Sequence, residues 1–411
     1  MFSPISLHLI IVLLILKNLS KCETSPLTMS QQQEIDARMD SFFFTTGSFV
    51  RGSCFKTSKG AEEWFFTIHP GESADFNREL DDLFEAYSDA LESQGLSGNS
   101  PVFSRFYLSD IANQQNQLLN SKAYKAASQG AVSVIEQCPL NGGSVSLFAY
   151  HIRKDNVSFP VKTFPLNGDP RQNGAILSGD HYRLLWVSNL FRGGDLDSRG
   201  QTADIFRTFS DLLRHHGMKV YDNAVRAWVY VRDIDNHYQG MVDARKSWFH
   251  HHGLTPKTKY LASTGIEGSS FEVNTLVSFD CLSIGGLQNG QFVRMEALDH
   301  LSPTIKYGVT FERGMRIRFG DRSHLYLSGT ASIDKDGNVL HIADVRRQTE
   351  RTLENIRSLL APHNAALRDL AYLIVYLRNF KDQHRVLEVM QRELPPDIPV
   401  LMTVGPVCRP S

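Results

Sequence analysis

One pattern occurs three times in the sequence, and it constrains the fold more than any other feature. The copies lie at 76–110, 202–233 and 346–379. Each begins with apolar residues spaced three and four apart, which is the stripe of an amphipathic helix lying on a sheet. A turn containing Gly or Asn comes next, and then a β-rich run that ends on a polar residue: FYLSD, WVYVRD or VYLRN.

The spacing of the copies is roughly 130 residues, which is too long for a solenoid and fits a small domain written three times. We therefore predict an α+β fold of three α/β repeats, with mixed sheets and helices packed on one face. After a leader-like segment at 1–30, the predicted repeats are 31–180, 181–300 and 301–411. Each repeat is expected to contain a second helix and a further strand pair.

Composition limits the classes of partner and site. The 411 residues are 42% hydrophobic and 21% charged, so a conventional core is expected, and the net charge of −1 favours neither nucleic acid nor an anionic membrane as partner. The five cysteines are odd in number and widely spaced, without a CxxC pair, so reduced thiols are expected and no metal site is predicted.

The two ends of the chain each leave alternatives open. The apolar run ISLHLIIVLLIL (5–16) has the length of a signal-peptide core and is short for a membrane span. Because no basic residue precedes the run and Lys17 comes after it, a start at Met29 explains the same facts. We expect a cytoplasmic protein, or an exported one if 5–22 is a signal. The closing run PVLMTVGPVCRPS (399–411) is expected to lack a partner, which favours a truncated third repeat.

The order of elements resembles that of the RidA (YjgF/UK114) family, whose members are trimers with sites at subunit interfaces. The runs YGVTFERG (307–314), LYLSGTASIDKDGNVLH (325–341) and VCRP (407–410) also resemble the chorismatase family. The resemblance is specific in 225–411 and general before residue 180. It implies a covalent pseudo-trimer, either a monomer with pseudo-threefold symmetry or a homo-oligomer, without a stable membrane partner.

The chorismatase resemblance implies a cofactor-independent enzyme that removes pyruvate from chorismate or a related enol-pyruvyl carboxylate. Such chemistry needs cations for the carboxylates and an acid for the enol carbon. Arginine suits the first task because its planar fork binds a carboxylate bidentately. Arg245 matches the family's arginine in the spacing Tyr238…Arg245…Phe249, and Arg313 enters a tight turn before a strand.

The other candidate ligand-binding residues come from the same motifs. Tyr307 could donate a phenolic hydrogen bond, and Gly329 and Thr330 allow close backbone approach to a ligand. Cys408 and Arg409 match the family's Cys–Arg–Pro. Structural alternatives remain open for the candidate residues: a solvated arginine at Arg245, on its helix, and at Arg313, amphipathic packing for Tyr307, a β-bulge at Gly329 and Thr330, and a buried strand cysteine at Cys408.

The catalytic acid is not assigned, because the family's glutamate lies on a last strand beyond Ser411. Glu312 cannot be assumed to replace it. The alternative function is a RidA-type protein that binds or deaminates a small carboxylate or imine metabolite, without catalysis if the glutamate is absent. Deamination is disfavoured, since the matching positions offer Gly130 and Lys259 but no arginine. In either case the expected partner is a small anionic metabolite, with no cofactor.

Overall fold

The computed structural model describes residues 9–18, 39–45, 48–96, 98, 101–154, 157–288, 290–304 and 308–407. Nineteen strands are present in this part of the chain: β1 (Leu9–Asn18), β2 (Met39–Thr45), β3 (Phe49–Lys56), β4 (Ala61–His69), β5 (Phe103–Leu108), β6 (Ala131–Glu136), β7 (Val145–Lys154), β8 (Val157–Ser158), β9 (Val161–Leu166), β10 (Asp169–Ser178), β11 (Arg183–Phe191), β12 (Ala224–Val231), β13 (Ala262–Glu267), β14 (Val277–Gly285), β15 (Phe292–Met295), β16 (Gly314–Arg318), β17 (Arg322–Thr330), β18 (Leu370–Leu377) and β19 (Val400–Val404). The α-helices are α1 (Phe76–Ser93), α2 (Ile111–Asn120), α3 (Lys122–Ala127), α4 (Ser198–His215), α5 (Val220–Asn223), α6 (Ile234–His251), α7 (Val345–Leu360) and α8 (Gln383–Glu393).

The strands form three sheets of the same design. The first has the order β2-β3-β4-β7-β5-β6, with β8 beside β7; the second is β9-β10-β11-β14-β12-β13; the third is β15-β16-β17-β1-β18-β19. In each sheet one outer pair is parallel, namely β5 with β6, β12 with β13 and β18 with β19. This repetition confirms the predicted α+β fold of three repeats.

The inner faces of the three sheets share one core, and the helices lie on the opposite faces. The shared core contains residues of all three sheets and none of the α-helices, whereas α1, α4 and α7 each contribute to a separate core with their own sheet. Two of the polar residues that end the repeated runs cap the next helical segment: Asp110 accepts from the backbone N–H of Asn113, and Asn379 from that of Lys381. Among the described residues, no helix combines the length and apolar character needed to cross a bilayer.

The third sheet contains the N-terminal run, for which the sequence favoured a leader. Strand β1 lies antiparallel between β17 and β18, in the place that β7 and β14 occupy in the other sheets. Val12 and Leu14 join the shared inner core, while Leu13 and Ile15 pack beneath the helices of the third repeat. A central strand covered on both faces needs apolar side chains at consecutive positions, and this run supplies them.

The sheets also divide the chain earlier than the predicted boundaries at 180 and 300. The hairpin β9–β10 hydrogen-bonds to β11 of the second sheet, so the second repeat begins at Val161. Apart from β1, the strands of the third sheet begin at Phe292. The closing strand, expected to lack a partner, is paired on one edge with β18, and on the other the Val404 N–H donates to the Cys138 carbonyl.

Three equivalent hydrogen bonds join the repeats into a closed ring. The backbone N–H of Glu136 donates to the Ser269 carbonyl at 2.9 Å, and that of Glu267 to the Pro406 carbonyl at 3.0 Å. The Val404 N–H completes the set by donating to the Cys138 carbonyl at 2.9 Å. Each donor is the last residue of β6, β13 or β19, the strand at the parallel edge of its sheet. Each acceptor lies two residues after the end of the corresponding strand in another repeat. The chain therefore has pseudo-threefold symmetry.

Candidate functional site

The second and third repeats meet along the edge strand β13, and we call this contact the second seam: β13 with residues 312–313 and 328–330. The Ser263 N–H donates to Ser328 Oγ at 2.8 Å, and the Gly329 N–H donates to Thr264 Oγ1 at 3.1 Å. Glu312 also bridges to the strand through its N–H, which donates to the Leu261 carbonyl at 3.0 Å. The predicted residue Gly329 therefore lies at this contact, and Thr330 follows it at the end of β17.

Arg226 on β12 is a buried cation at the second seam, and the sequence motifs did not point to it. Its side chain is 1% exposed, donates to Thr264 Oγ1 at 2.6 Å and to its neighbour's carbonyl, and lies 4.2 Å from the Trp228 ring centroid. Burial lowers the pKa of Arg226 to about 10. Within the described part of the chain, no carboxylate forms an ion pair with it.

A signal for Arg226 exists in the repeats. The three repeated runs end at the polar residues Asp110, Asp233 and Asn379. The residues seven positions before these ends are Phe103, Arg226 and Tyr372. Two repeats have an aromatic residue on a buried strand at that position, and the second repeat has an arginine. The second repeat thus has a charged residue at a buried position that is aromatic in the other two.

Arg245 is buried as well, which differs from the solvated helix arginine left open by the sequence. It lies on α6, which packs on β13: Tyr238 and Met241 have atoms 3.3 and 3.6 Å from where a Cβ would stand on Gly265. Arg245 lies one turn after Met241 on the same helix face and is 2% exposed. Among the described residues, its Nε has no hydrogen-bond partner and its guanidinium forms no ion pair.

Arg313 lies beside a small cavity of about 80 Å³ in the second seam. Its Nε and Nη2 donate to the Ser302 carbonyl at 3.2 and 2.8 Å. Glu312 and Tyr260 line the same cavity. The Glu312 carboxylate accepts from the Tyr260 N–H at 2.6 Å and pairs with Arg294 at 3.2 Å. Glu312 is therefore held by two partners and does not stand free as an acid.

Three predicted site residues, Tyr307, Cys408 and Arg409, lie outside the described residues. Nearby, the described chain continues the second seam to Val407, which bridges to Ile266 on β13. Of the predicted set, the structure thus places Gly329, Thr330 and Arg313 at the seam. Arg245 lies on the helix that covers β13.

The residue that faces the middle of the repeated strand differs between the three sheets. In the three sheets the residues facing the middle of the repeated strand are Phe148 opposite Arg105, Asp280 opposite Trp228, and Val12 opposite Ile374. The third repeat therefore has a valine where the second has an acid. Among the described side chains of β1, none carries a carboxylate.

Asp280 is committed to a buried network. Its carboxylate accepts from Arg105 Nη2 at 2.8 Å, from Ser133 Oγ at 2.6 Å and from the Asn189 N–H at 2.8 Å. These contacts join the first repeat to the second. They give Asp280 a structural role and leave it no part in ligand binding at the second seam.

Glu267, at the end of β13, also has a structural role. Burial raises its pKa, and its carboxylate accepts from the Ile234 N–H at 3.4 Å at the start of α6. In the first repeat the equivalent Glu136 accepts from the Ile111 N–H at 2.9 Å at the start of α2. A contact present in two repeats is best explained as a helix cap.

A second buried network lies where the three repeats meet. Glu63 accepts from Arg322 Nε and Tyr150 Oη, and its carboxylate lies 2.9 Å from His324 Nε2. Burial alone would raise the pKa of Glu63, but His324 and Arg322 hold it at about 2. Here the buried arginine is matched by a buried carboxylate. No group of three or more His, Cys, Asp or Glu that could hold a metal ion occurs in the described ranges.

Comparisons with known proteins agree with this architecture. Residues 316–406 match the family model described as endoribonuclease L-PSP. The 3-aminoacrylate deaminase RutC of Acinetobacter baylyi is 28% identical over 75 residues, which are 18% of this chain and 60% of the relative. The chain thus spans about 60% of the length of that curated relative.

Two solved structures are similar to parts of the chain. A chorismatase crystal structure superposes with a TM-score of 0.57 at 20% identity, covering 76% of this chain and 91% of the other. A YjgF-family protein from Neisseria meningitidis covers 30% of this chain at 16% identity and a TM-score of 0.25. The predicted resemblance to chorismatases and the RidA/YjgF family is confirmed, the former as a shared fold and the latter by the model that matches the third repeat.

Proposed function

We propose that the chain binds a small carboxylate metabolite of the chorismate type at the second seam and removes its pyruvyl group without a cofactor. The observation that carries this proposal is the burial of Arg226 and Arg245 without a carboxylate partner in the described residues. A buried charge is costly unless it is paired. The buried arginines Arg105 and Arg322 do have such partners, Asp280 and Glu63.

A dicarboxylate would supply the missing negative charges. Chorismate carries two carboxylates. Arg226 lies at the seam and Arg245 on the helix that covers β13, and each has a planar fork suited to a carboxylate. Thr264 Oγ1 already links Arg226 to the backbone of Gly329, so a ligand held by Arg226 would lie against that backbone. The chorismatase fold supports the same ligand class.

Hydrolysis of such a ligand consumes one water. A proton adds to the methylene carbon of the enol-pyruvyl group, the water oxygen adds to the adjacent carbon, and the resulting hemiketal releases pyruvate and the ring alcohol. The arginines would hold the carboxylates while charge develops on the enol ether. The proton donor is not assigned, because the carboxylates discussed above are engaged in structural contacts.

A second candidate function is binding without turnover, as in a RidA-type carboxylate binder. One observation favours it: Val12 stands opposite Ile374, where the second repeat has Asp280. A third repeat whose central strand carries no acid can still bind anions through its arginines. This candidate shares the ligand and the arginines with the first and differs only in chemistry.

Incubation with chorismate tests both candidates. We expect chorismate to raise the melting temperature and pyruvate to accumulate, as measured by coupled reduction to lactate. Arg245→Met should lose both effects, whereas Arg214→Met, a change at an exposed ion pair on α4, should keep them. Stabilisation without pyruvate would select the binding function. An unchanged melting temperature with no pyruvate would reject both.

A further inference from the structure

A cavity of about 710 Å³ lies between the β9–β10 hairpin and α4, beside the core that α4 forms with the second sheet. We call it the hairpin cavity. Its lining consists of residues 164–167, Arg192 and five residues between Thr208 and His216. Sites for small molecules typically have volumes of about 300–1,000 Å³. None of the lining residues belongs to the second seam, so the hairpin cavity is a separate candidate site.

Protein contacts fix the orientation of Arg192 in the hairpin cavity. Its Nη2 donates to Asn167 Oδ1 at 3.1 Å and to Thr208 Oγ1 at 2.9 Å. The Thr208 hydroxyl gives its own proton to the Asp204 carbonyl at 2.9 Å, so its oxygen accepts from the guanidinium. The Asn167 amide nitrogen donates to Gln172 Oε1 at 3.1 Å, which directs the amide oxygen to Arg192. The guanidinium is therefore held in place before any ligand binds.

The charge of Arg192 is not neutralised by the described part of the protein. Both of its acceptors are neutral, and within the described ranges it forms no ion pair and its Nε and Nη1 donate to no protein acceptor. Asp211 lines the same cavity but pairs with Arg214 at 2.9 Å. Burial lowers the pKa of His216, so that ring carries no charge at about pH 7. The hairpin cavity therefore suits a ligand with one negative charge.

The repeated fold does not require an arginine at this place. Arg192 directly follows the last residue of β11. The residues that directly follow the corresponding strands β4 and β17 are Pro70 and Ala331. The unpaired charge is thus particular to the second repeat, and the common architecture of the three sheets does not explain it.

The hairpin cavity also has an apolar lining that includes an aromatic ring in a fixed position. Phe164 lies over Gly174, where a Cβ would come within 2.5 Å of the ring. The Phe164 and His216 ring centroids are 5.2 Å apart, and the half-buried Leu212 lines the same cavity. Aromatic rings attract one another in offset or edge-to-face arrangements at similar distances. These side chains therefore favour a ligand with a flat apolar body.

We propose that the hairpin cavity binds an aromatic monocarboxylate, with the carboxylate on Arg192 and the ring beside Phe164 and Leu212. A phosphate monoester is disfavoured, because Asp211 in the same lining repels a second negative charge. The proposal is independent of the proposed function, since no residue of the second seam or of α6 lines this cavity.

Benzoate is the probe for this site, and benzamide is its neutral counterpart of the same shape. In calorimetric titrations of the full chain, we expect benzamide to bind at least roughly tenfold more weakly than benzoate. Arg192→Gln should weaken benzoate binding by a similar factor. Arg192→Lys, which keeps the charge and loses the planar guanidinium, should weaken it less. The matched control is Arg207→Gln, at an exposed ion pair on α4, which should keep the wild-type affinity.

Crystals soaked in 4-bromobenzoate locate the bound ligand. We expect an anomalous bromine peak beside Phe164 and the carboxylate within hydrogen-bond distance of Arg192. No benzoate binding, equal affinities for benzoate and benzamide in the wild type, or equal benzoate affinities for Arg192→Gln and the wild type would overturn the proposal.

Arg245→Met separates this site from the second seam, because it should keep the benzoate affinity of the wild type. Loss of benzoate binding in Arg245→Met together with its retention in Arg192→Gln would place benzoate at the second seam. The hairpin cavity would then be rejected as a site, and the proposed function would be unaffected. The comparison with benzamide uses the wild-type protein and does not depend on the folding of any variant.

Discussion

Arg245 carries a charge that its described surroundings do not neutralise, and its replacement should therefore affect stability and binding in opposite directions. Replacing an uncompensated buried ion with an apolar side chain of similar length is often neutral or stabilising. We expect Arg245→Met to unfold in urea at the same or a higher midpoint than the wild type. Ligand affinity should meanwhile fall by at least roughly 30-fold, as for loss of a buried charge contact.

The measurement combines urea unfolding without ligand and chorismate titration by calorimetry. Arg214→Met, which alters an exposed pair, serves as the control for both. A variant Arg245→Met that loses several kcal/mol of stability and retains its ligand affinity would show that Arg245 is a packing residue and not an anion contact.

His69 should make stability depend on pH in the weakly acidic range. Burial lowers its pKa to about 4, and its Nδ1 lies 2.8 Å from Ser146 Oγ. Between pH 6.5 and 4 the unfolded chain binds a proton that the native state does not, so stability falls as pH decreases. The contribution lost is about 3 kcal/mol.

Urea midpoints at about pH 7.5 and about pH 4.5 measure this effect. His69→Gln should show a smaller loss of stability between the two pH values than the wild type. The exposed His384→Gln should behave as the wild type does. Glu63 affects stability at lower pH than His69 does, because the stability that its depressed pKa provides is lost as pH falls toward about 2. Equal losses for the wild type and His69→Gln would contradict the expectation.

The residues of the candidate site could be predicted from the sequence only where they belong to a continuous sequence motif. Arg313, Gly329 and Thr330 lie in the runs that resemble chorismatases, and they are found at the second seam. Arg226 was missed because one arginine in an apolar run has no local meaning. Its significance depends on Phe103 and Tyr372 in the other repeats. That Arg245 is buried depends on the packing of α6 on β13, which no single-sequence pattern specifies.

At the level of elements, β1 is where the interpretation of the sequence and the structure differ most. A central strand that is apolar on both faces has the same composition as a signal-peptide core, so periodicity cannot separate them. Its partners β17 and β18 lie about 300 residues or more away in the chain, beyond the reach of any local pattern. The repeated helix–strand units were predictable because their periodicity is local.

A charge in β1 tests this placement. Val12 is 1% exposed and packs in the shared core. We expect Val12→Asp to lower the free energy of unfolding by more than about 3 kcal/mol, because it buries an unpaired carboxylate. Lys17→Ala, near the end of the same strand, should have little effect. Urea unfolding monitored by circular dichroism measures both, and equal midpoints for Val12→Asp and the wild type would place residues 9–18 outside the sheet.

For the molecule as a whole, the number of repeats was predictable and their closure was not. The three copies of the run show the repetition, but the boundaries depended on which sheet the hairpin β9–β10 joins. Closure depends on backbone hydrogen bonds between residues far apart in sequence, such as Val404 with Cys138. Backbone groups pair with little regard for side-chain identity, so no residue pattern marks these contacts.

The closed ring predicts that the repeats unfold together, and Val404→Pro tests it. Proline removes the N–H that donates to the Cys138 carbonyl. We expect the free energy of unfolding to fall by about 1–3 kcal/mol relative to Val404→Ala, which retains the N–H.

Two spectroscopic probes test whether the repeats unfold together. All four tryptophans, Trp64, Trp186, Trp228 and Trp248, lie in the first two repeats, so fluorescence reports on these two repeats and circular dichroism on all three. In the wild type the two unfolding curves should coincide. In Val404→Pro they should separate, since the third repeat is then held to the first by fewer contacts. Coincident curves at equal midpoints for Val404→Pro and Val404→Ala would mean that this hydrogen bond does not couple the repeats.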